Sequence, residues 1–264
     1  MNGILVAALM GAVGGAIGGA IAWGIEKVLK KPAAWTKLIP VITVVVAVQG
    51  ALAINRGDPV EAQLDKVAPF KAMHEHYPDD YAKAVAGINA AKVKDQAAVT
   101  AAARPVLSAI VSRQIKKVDE ANMMRLMALA VREGSALRDA KPASCVSLFT
   151  GAASTEDYSK SMPQALVQED LETSAAILTQ TATKPAGPAT PIDPKVMGDL
   201  SVKVLGMLPE DERTAILPLL SASKPPSSEV EMRGMCDFYI ALFSTALSEP
   251  EPGKTLRAMV AAGA

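Results

Sequence analysis

Between Ile4 and Ile25 the chain carries no charged side chain. The stretch is about 22 residues long, and about 20 apolar residues suffice for a helix to cross a bilayer. A second apolar run, Leu38 to Ile54, is about 17 residues, at the short end of the spanning range. Gln49 is its only strongly polar side chain. An amide at that depth costs less than a charge, particularly where it faces another helix. These runs predict a two-helix transmembrane hairpin over residues 1–54, with helices at about 4–25 and 38–54 and a link at 26–37. The expected class is all-α, with a helical soluble domain over 55–264.

The link sets the orientation. It holds Lys27, Lys30, Lys31 and Lys37 against Glu26. No basic side chain precedes Ile4, and beyond Ile54 Arg56 and Lys66 are diluted by Asp58, Glu61 and Asp65. Basic loops stay in the cytoplasm, so the link is expected to be cytoplasmic and both termini outside. Trp23 and Trp35 flank it, at the headgroup level that indoles prefer. In a bacterium, outside is the periplasm. The expected location is therefore the bacterial inner membrane, two-pass, with an extracytoplasmic domain. A competing reading takes Lys27 to Ala53 as a signal peptide with an A-x-A-like site at Ala51-Leu52-Ala53. Cleavage after Ala53 would leave the domain on the same side.

Gly11, Gly15 and Gly19 fall in one row of the first helix, with Gly14 and Gly18 in the next. Small residues at this spacing let two helix backbones approach closely. The pattern resembles the glycine zipper of many membrane proteins. That resemblance implies close packing, either against the second apolar helix or against other copies.

Charge and composition narrow the partners. Basic and acidic residues balance at 27 each, and aromatics are 4% of the chain. Nucleic acid, which calls for a basic stripe or stacking platforms, is not expected. Abundant Ala and few β-branched runs beyond the second apolar segment favour helix. Apolar spacing predicts helices over Val60–His76, disturbed by Pro69, and from Asp79 or Asp80 to Val93. A long one follows over Asp95–Arg138, kinked or split at Pro105, with Met123, Met124 and Met127 in the core. Cys145 to Phe149 reads as a short apolar piece, and Met162 to Thr181 as a helix. Residues 184–194 form a Pro-rich extended loop. Helices over Lys195–Leu208, Glu210–Leu220, Ser228–Leu247 and Gly253–Val260 complete the chain. Ser228 and Glu231 have capping-box spacing.

Cys145 and Cys236 are the only cysteines. Outside the cytoplasm they read as one disulfide, closing a loop of about 90 residues for about 4.5 kcal/mol at the upper end. The alternative is two buried thiols acting as small apolar groups. His74 and His76 are the only histidines. On a regular helix they point about 200° apart, so a metal site there would need an extended segment and help from Asp79 and Asp80. No cofactor is expected. Asp79-Asp80, Asp119-Glu120, Glu169-Asp170 and Glu210-Asp211-Glu212 lie near helix starts or lysines and are expected on the solvated surface. Arg125, Arg132 and Arg138 are expected to form a surface ion-pair face.

These features predict a non-enzymatic membrane-anchored protein whose helical domain binds a protein partner or self-associates, with the lipid bilayer as its other partner. Two alternatives stand beside it: a glycine-zipper oligomer that shapes or permeabilises the bilayer, and a metal-dependent hydrolase centred on His74 and His76.

Overall fold

The computed structural model describes residues 60–90, 106–107, 109–150, 161–222 and 224–263. The expected hairpin, its basic link and its five aligned glycines lie outside the described residues. Among the described residues no helix is long and apolar enough to cross a membrane, and every regular element is helical.

The chain opens with α1 (Val60–Leu64) and α2 (Ala68–His76) rather than one helix over 60–76. Pro69 sits in the first turn of α2, where a missing N–H costs nothing. Val67 before it is extended. Helix α3 (Pro78–Ala90) carries Asp79 and Asp80 in its first turn, where the helix dipole favours acids.

The long helix expected to end at Arg138 is also divided, at 115–119. Helical backbone at 109–114 ends in a 3₁₀ turn, Ile115–Lys117, followed by extended Val118. Asp119 then caps α4 (Glu120–Arg138), its carboxylate accepting from the Asn122 amide at 2.8 Å. That bond satisfies an amide that a new helix would otherwise leave bare. Helix α5 (Pro142–Thr150) extends the expected short apolar piece to a full helix. Next comes α6 (Gln164–Thr183), for which Pro163 is the residue before the first turn.

Residues 184–193 are non-helical, as their prolines favour, and the expected loop ends one residue early because Pro194 opens the next helix. The Ala186 amide donates to Lys117 O at 2.9 Å, and Ile192 N to Ala258 O at 3.0 Å. Asp193 caps α7 (Pro194–Leu205). Then follow α8 (Glu210–Ala222), α9 (Glu229–Leu247) and α10 (Pro252–Gly263). Ser228 and Glu231 form the full capping box at the start of α9. The Ser227 and Ser228 amides and the Ser227 hydroxyl hold the Glu231 carboxyl down at about 2.

Two apolar clusters fill the domain. The larger is built around α9, which packs against α4, α5, α7, α8 and α10. Phe149 lies between Tyr239 and Phe243, with ring centroids 5.4 and 5.7 Å away. Met123 and Met127 are buried here and Met124 packs against them. The smaller cluster gathers Leu64, Phe70, Met73, Ile88, Leu107 and Ile110. Helix α6 belongs to both: Val167 and Ile177 enter the larger cluster, Leu171 and Leu178 the smaller.

Candidate functional site

The cysteines meet across α5 and α9. Cys145 and Cys236 are bridged, fully buried, with Cα atoms 5.7 Å apart, inside the usual range for a disulfide. The bridge ties the two sides of the Pro-rich segment to one core.

Two acid clusters depart from the expected solvated surface. The first lies between α4 and α6. Glu133 is 4% exposed and Asp170 2%. Asp170 Oδ1 accepts from the Ser174 hydroxyl at 3.4 Å, while Oδ2 and the neighbouring Thr173 hydroxyl find no hydrogen-bond partner among the described residues. Burial, first of all, and the nearby Asp170 hold the Glu133 carboxyl well above the usual range. Burial does the same to Asp170, opposed by the Ser174 hydroxyl. At the rim, Arg132 grips Glu169 through two nitrogens, one bond at 2.8 Å, and Arg125 reaches Glu172 at 3.7 Å. Those arginines form the expected ion-pair face, and Asp170 lies beneath it.

The second cluster joins α4, α8 and α9. Arg138 holds the Asp237 carboxylate in a fork, with Nη2 to Oδ2 at 2.6 Å and Nε to Oδ1. Glu212, also expected on the surface, is 6% exposed, and its Oε2 has no hydrogen-bond partner among the described residues. Burial, then a hydrogen bond shared with Asp237, raise the Glu212 carboxyl to about 7. Gly234 makes the approach feasible. A Cβ there would stand 3.1 Å from the Glu212 carbonyl and 2.8 Å from Ile216 Cγ2.

The histidines occupy the last turn of α2. His74 Nδ1 lies 3.0 Å from Asp65 Oδ1, and its ring stacks on Tyr81 at 4.3 Å between centroids. His76 is the final residue of the helix. Among the described residues no group of three or more metal-ligating side chains gathers around them.

A groove runs where the Pro-rich segment crosses the 3₁₀ turn and α10. Its volume is about 220 Å³. Ile115, Met123 and Val260 supply apolar side chains, Pro188 and Pro191 form one wall, and Lys116 and Arg257 also line it. Arg257 donates to Gly187 O and so braces that wall. The lining contains no carboxyl, thiol or imidazole.

No family model, curated protein or solved structure matches this chain. The candidate site thus stands on its geometry. The buried acids were findable in the sequence. Asp170 falls on the stripe of Val167, Leu171, Ser174 and Ile177, and Glu212 on that of Ile216, Leu219 and Leu220. A carboxyl on an apolar stripe is the signal. Proximity to a helix start masked it. The groove had no such signal, because its walls come from three separated segments.

Proposed function

We propose that this chain is a membrane-anchored protein whose helical domain lies outside the cytoplasm and acts by binding a protein partner. The groove beside Pro188 and Pro191 carries the binding half of this reading. Small-molecule sites usually enclose about 300–1,000 Å³, more than the 220 Å³ found here. A space of that size and apolar lining suits one or two side chains of a partner, the kind of anchor that dominates protein interfaces. The bridged cysteines support the compartment, since lasting disulfides belong to oxidising surroundings. The charge-free stretch from Ile4 to Ile25 and the lysine-rich link support the anchor.

Site-specific photocrosslinking in native membranes tests it. A photoreactive residue at Ala189 or Ala261 is expected to capture one discrete partner, and the same residue at exposed Lys203 is not. Equal capture from all three positions, or none from the groove, would sink the reading.

A further inference from the structure

The groove has apolar walls and a cationic rim. The Ala186 amide and the Gln180 side-chain amide both donate to Lys117 O, and Gln180 donates to Lys184 O as well. These bonds seat the backbone of the 3₁₀ turn against the start of the Pro-rich segment. At the next residue, Gly187 O accepts from Arg257 of α10. Lys116 and Arg257 line the groove, and Lys117 and Lys184 belong to the same junction. The three lysines are exposed and Arg257 is half-buried.

That rim lacks a matching negative charge. Arg125, Arg132 and Arg138 of α4 and Arg233 of α9 each reach a carboxylate. Arg213 of α8 and Arg257 reach none among the described residues, and of these two it is Arg257 that lines the groove. Asp119, near Lys117 in the chain, turns its carboxylate to the Asn122 amide at 2.8 Å. Glu120 after it lies against Gly253. No carboxyl lines the groove itself.

We propose that the groove receives an acidic segment of a partner protein, an aliphatic side chain entering beside Met123 and Val260 while a neighbouring Asp or Glu is held by Arg257. This deepens the binding reading above and rests on it. A guanidinium has five N–H donors, and Gly187 O engages Nη2 alone, so a carboxylate can still be gripped. Such charge-assisted bonds are the strong ones, and they strengthen where apolar walls exclude water. A basic segment would set like charges against the rim and be rejected. The volume of about 220 Å³ seats a side chain but not the length of a lipid acyl chain.

Peptide labelling of the full-length chain in phosphatidylcholine nanodiscs tests this, with a photoreactive residue at Ala189. The probes are fluorescent, end-blocked peptides in which one Leu is flanked by Glu, by Gln or by Lys. The Glu-flanked peptide is expected to label about tenfold more than the Gln-flanked one, the range of a hydrogen bond to a charged group. The Lys-flanked peptide is expected to label least. The preference for Glu should shrink in high salt, which screens exposed charge. Arg257→Gln keeps a donor for Gly187 O but no charge, and is expected to lose most of that preference. Lys117→Gln with Lys184→Gln changes exposed side chains only, is expected to weaken the preference about twofold to threefold by the smaller worth of exposed charges, and decides the matter if Arg257→Gln does not fold. Equal labelling by the Glu and Gln peptides, a preference for Glu that survives in Arg257→Gln, or in its place an unchanged preference in the lysine pair, would each overturn the proposal. So would labelling of phosphatidylglycerol, added to the nanodiscs, in place of the acidic peptide. Failure here is separable from failure of the binding reading: a discrete partner captured from native membranes equally well by wild type and Arg257→Gln keeps the partner and removes its acidic chemistry.

Discussion

Asp170 and Glu133 show what one carboxyl costs when an apolar stripe carries it inward. A buried carboxyl keeps its proton more tightly in the folded chain than in the unfolded one. Its contribution is therefore intact below the ordinary carboxyl range and declines as pH rises through the folded value. Both groups are shifted upward by burial, and Glu212 adds the same trend between about 4 and about 7. The wild-type thermal midpoint is expected to be higher at pH 5 than at pH 8. In Glu133→Gln with Asp170→Asn the difference should narrow, mainly through a gain at pH 8 of about 2–4 °C per kcal/mol recovered. Parallel melts of the two chains check this. Gly134 makes a different point. A Cβ there would come within 2.6 Å of Phe149 Cε2, and that ring is held between Tyr239 and Phe243. Replacing a helical Gly by Ala normally gains up to about 1 kcal/mol, but here overpacking of about 1–3 kcal/mol opposes it. Gly134→Ala is expected to lower stability in urea titrations; a stabilised variant would contradict the close contact.

At the scale of elements, one glutamine organises a junction. Gln180 of α6 donates to Lys117 O at 3.2 Å and to Lys184 O at 2.7 Å, and its own oxygen accepts from Asp119 N at 3.3 Å. It thus satisfies the break before α4 and the end of its own helix together. Gln180→Ala is expected to cost about 1–2 kcal/mol and to increase exchange at 117–122 and 184–186 more than elsewhere. Uniform loosening would show that the junction does not depend on it. The same junction explains where sequence reading fell short. Helix interiors and caps are local, so α9 with Ser228 and Glu231, the last four helices and the non-helical 184–193 were legible from spacing. The break at 115–119 was not, because Gln180 and Ala186, both distant in sequence, stabilise it. Burial of Asp170 and Glu212 likewise depends on neighbouring helices. The apolar stripe that each shares was the one local sign of it.

For the whole molecule, α6 and the disulfide together set the cooperativity. Since α6 contributes to both apolar clusters, neither can lose it without exposing the other. Reduction should be slow, because both sulfurs are fully buried. Thiol titration is expected to find no reactive cysteine in native reduced-buffer samples until denaturant is added. Once reduced, the unfolded chain regains the entropy of a loop closed over a separation of 91 residues, and stability should fall by up to about 4.5 kcal/mol. Rapid reduction in the absence of denaturant would show that the core opens locally. The bridge has a mechanical side as well. Under a pull applied at the two ends of the domain, the load passes from Cys145 to Cys236 through sulfur, and α6, α7 and α8 are bypassed. About 300 Å of contour is withheld from stretching, so the groove wall at Pro188 and Pro191 lies on a part of the chain that tension does not lengthen.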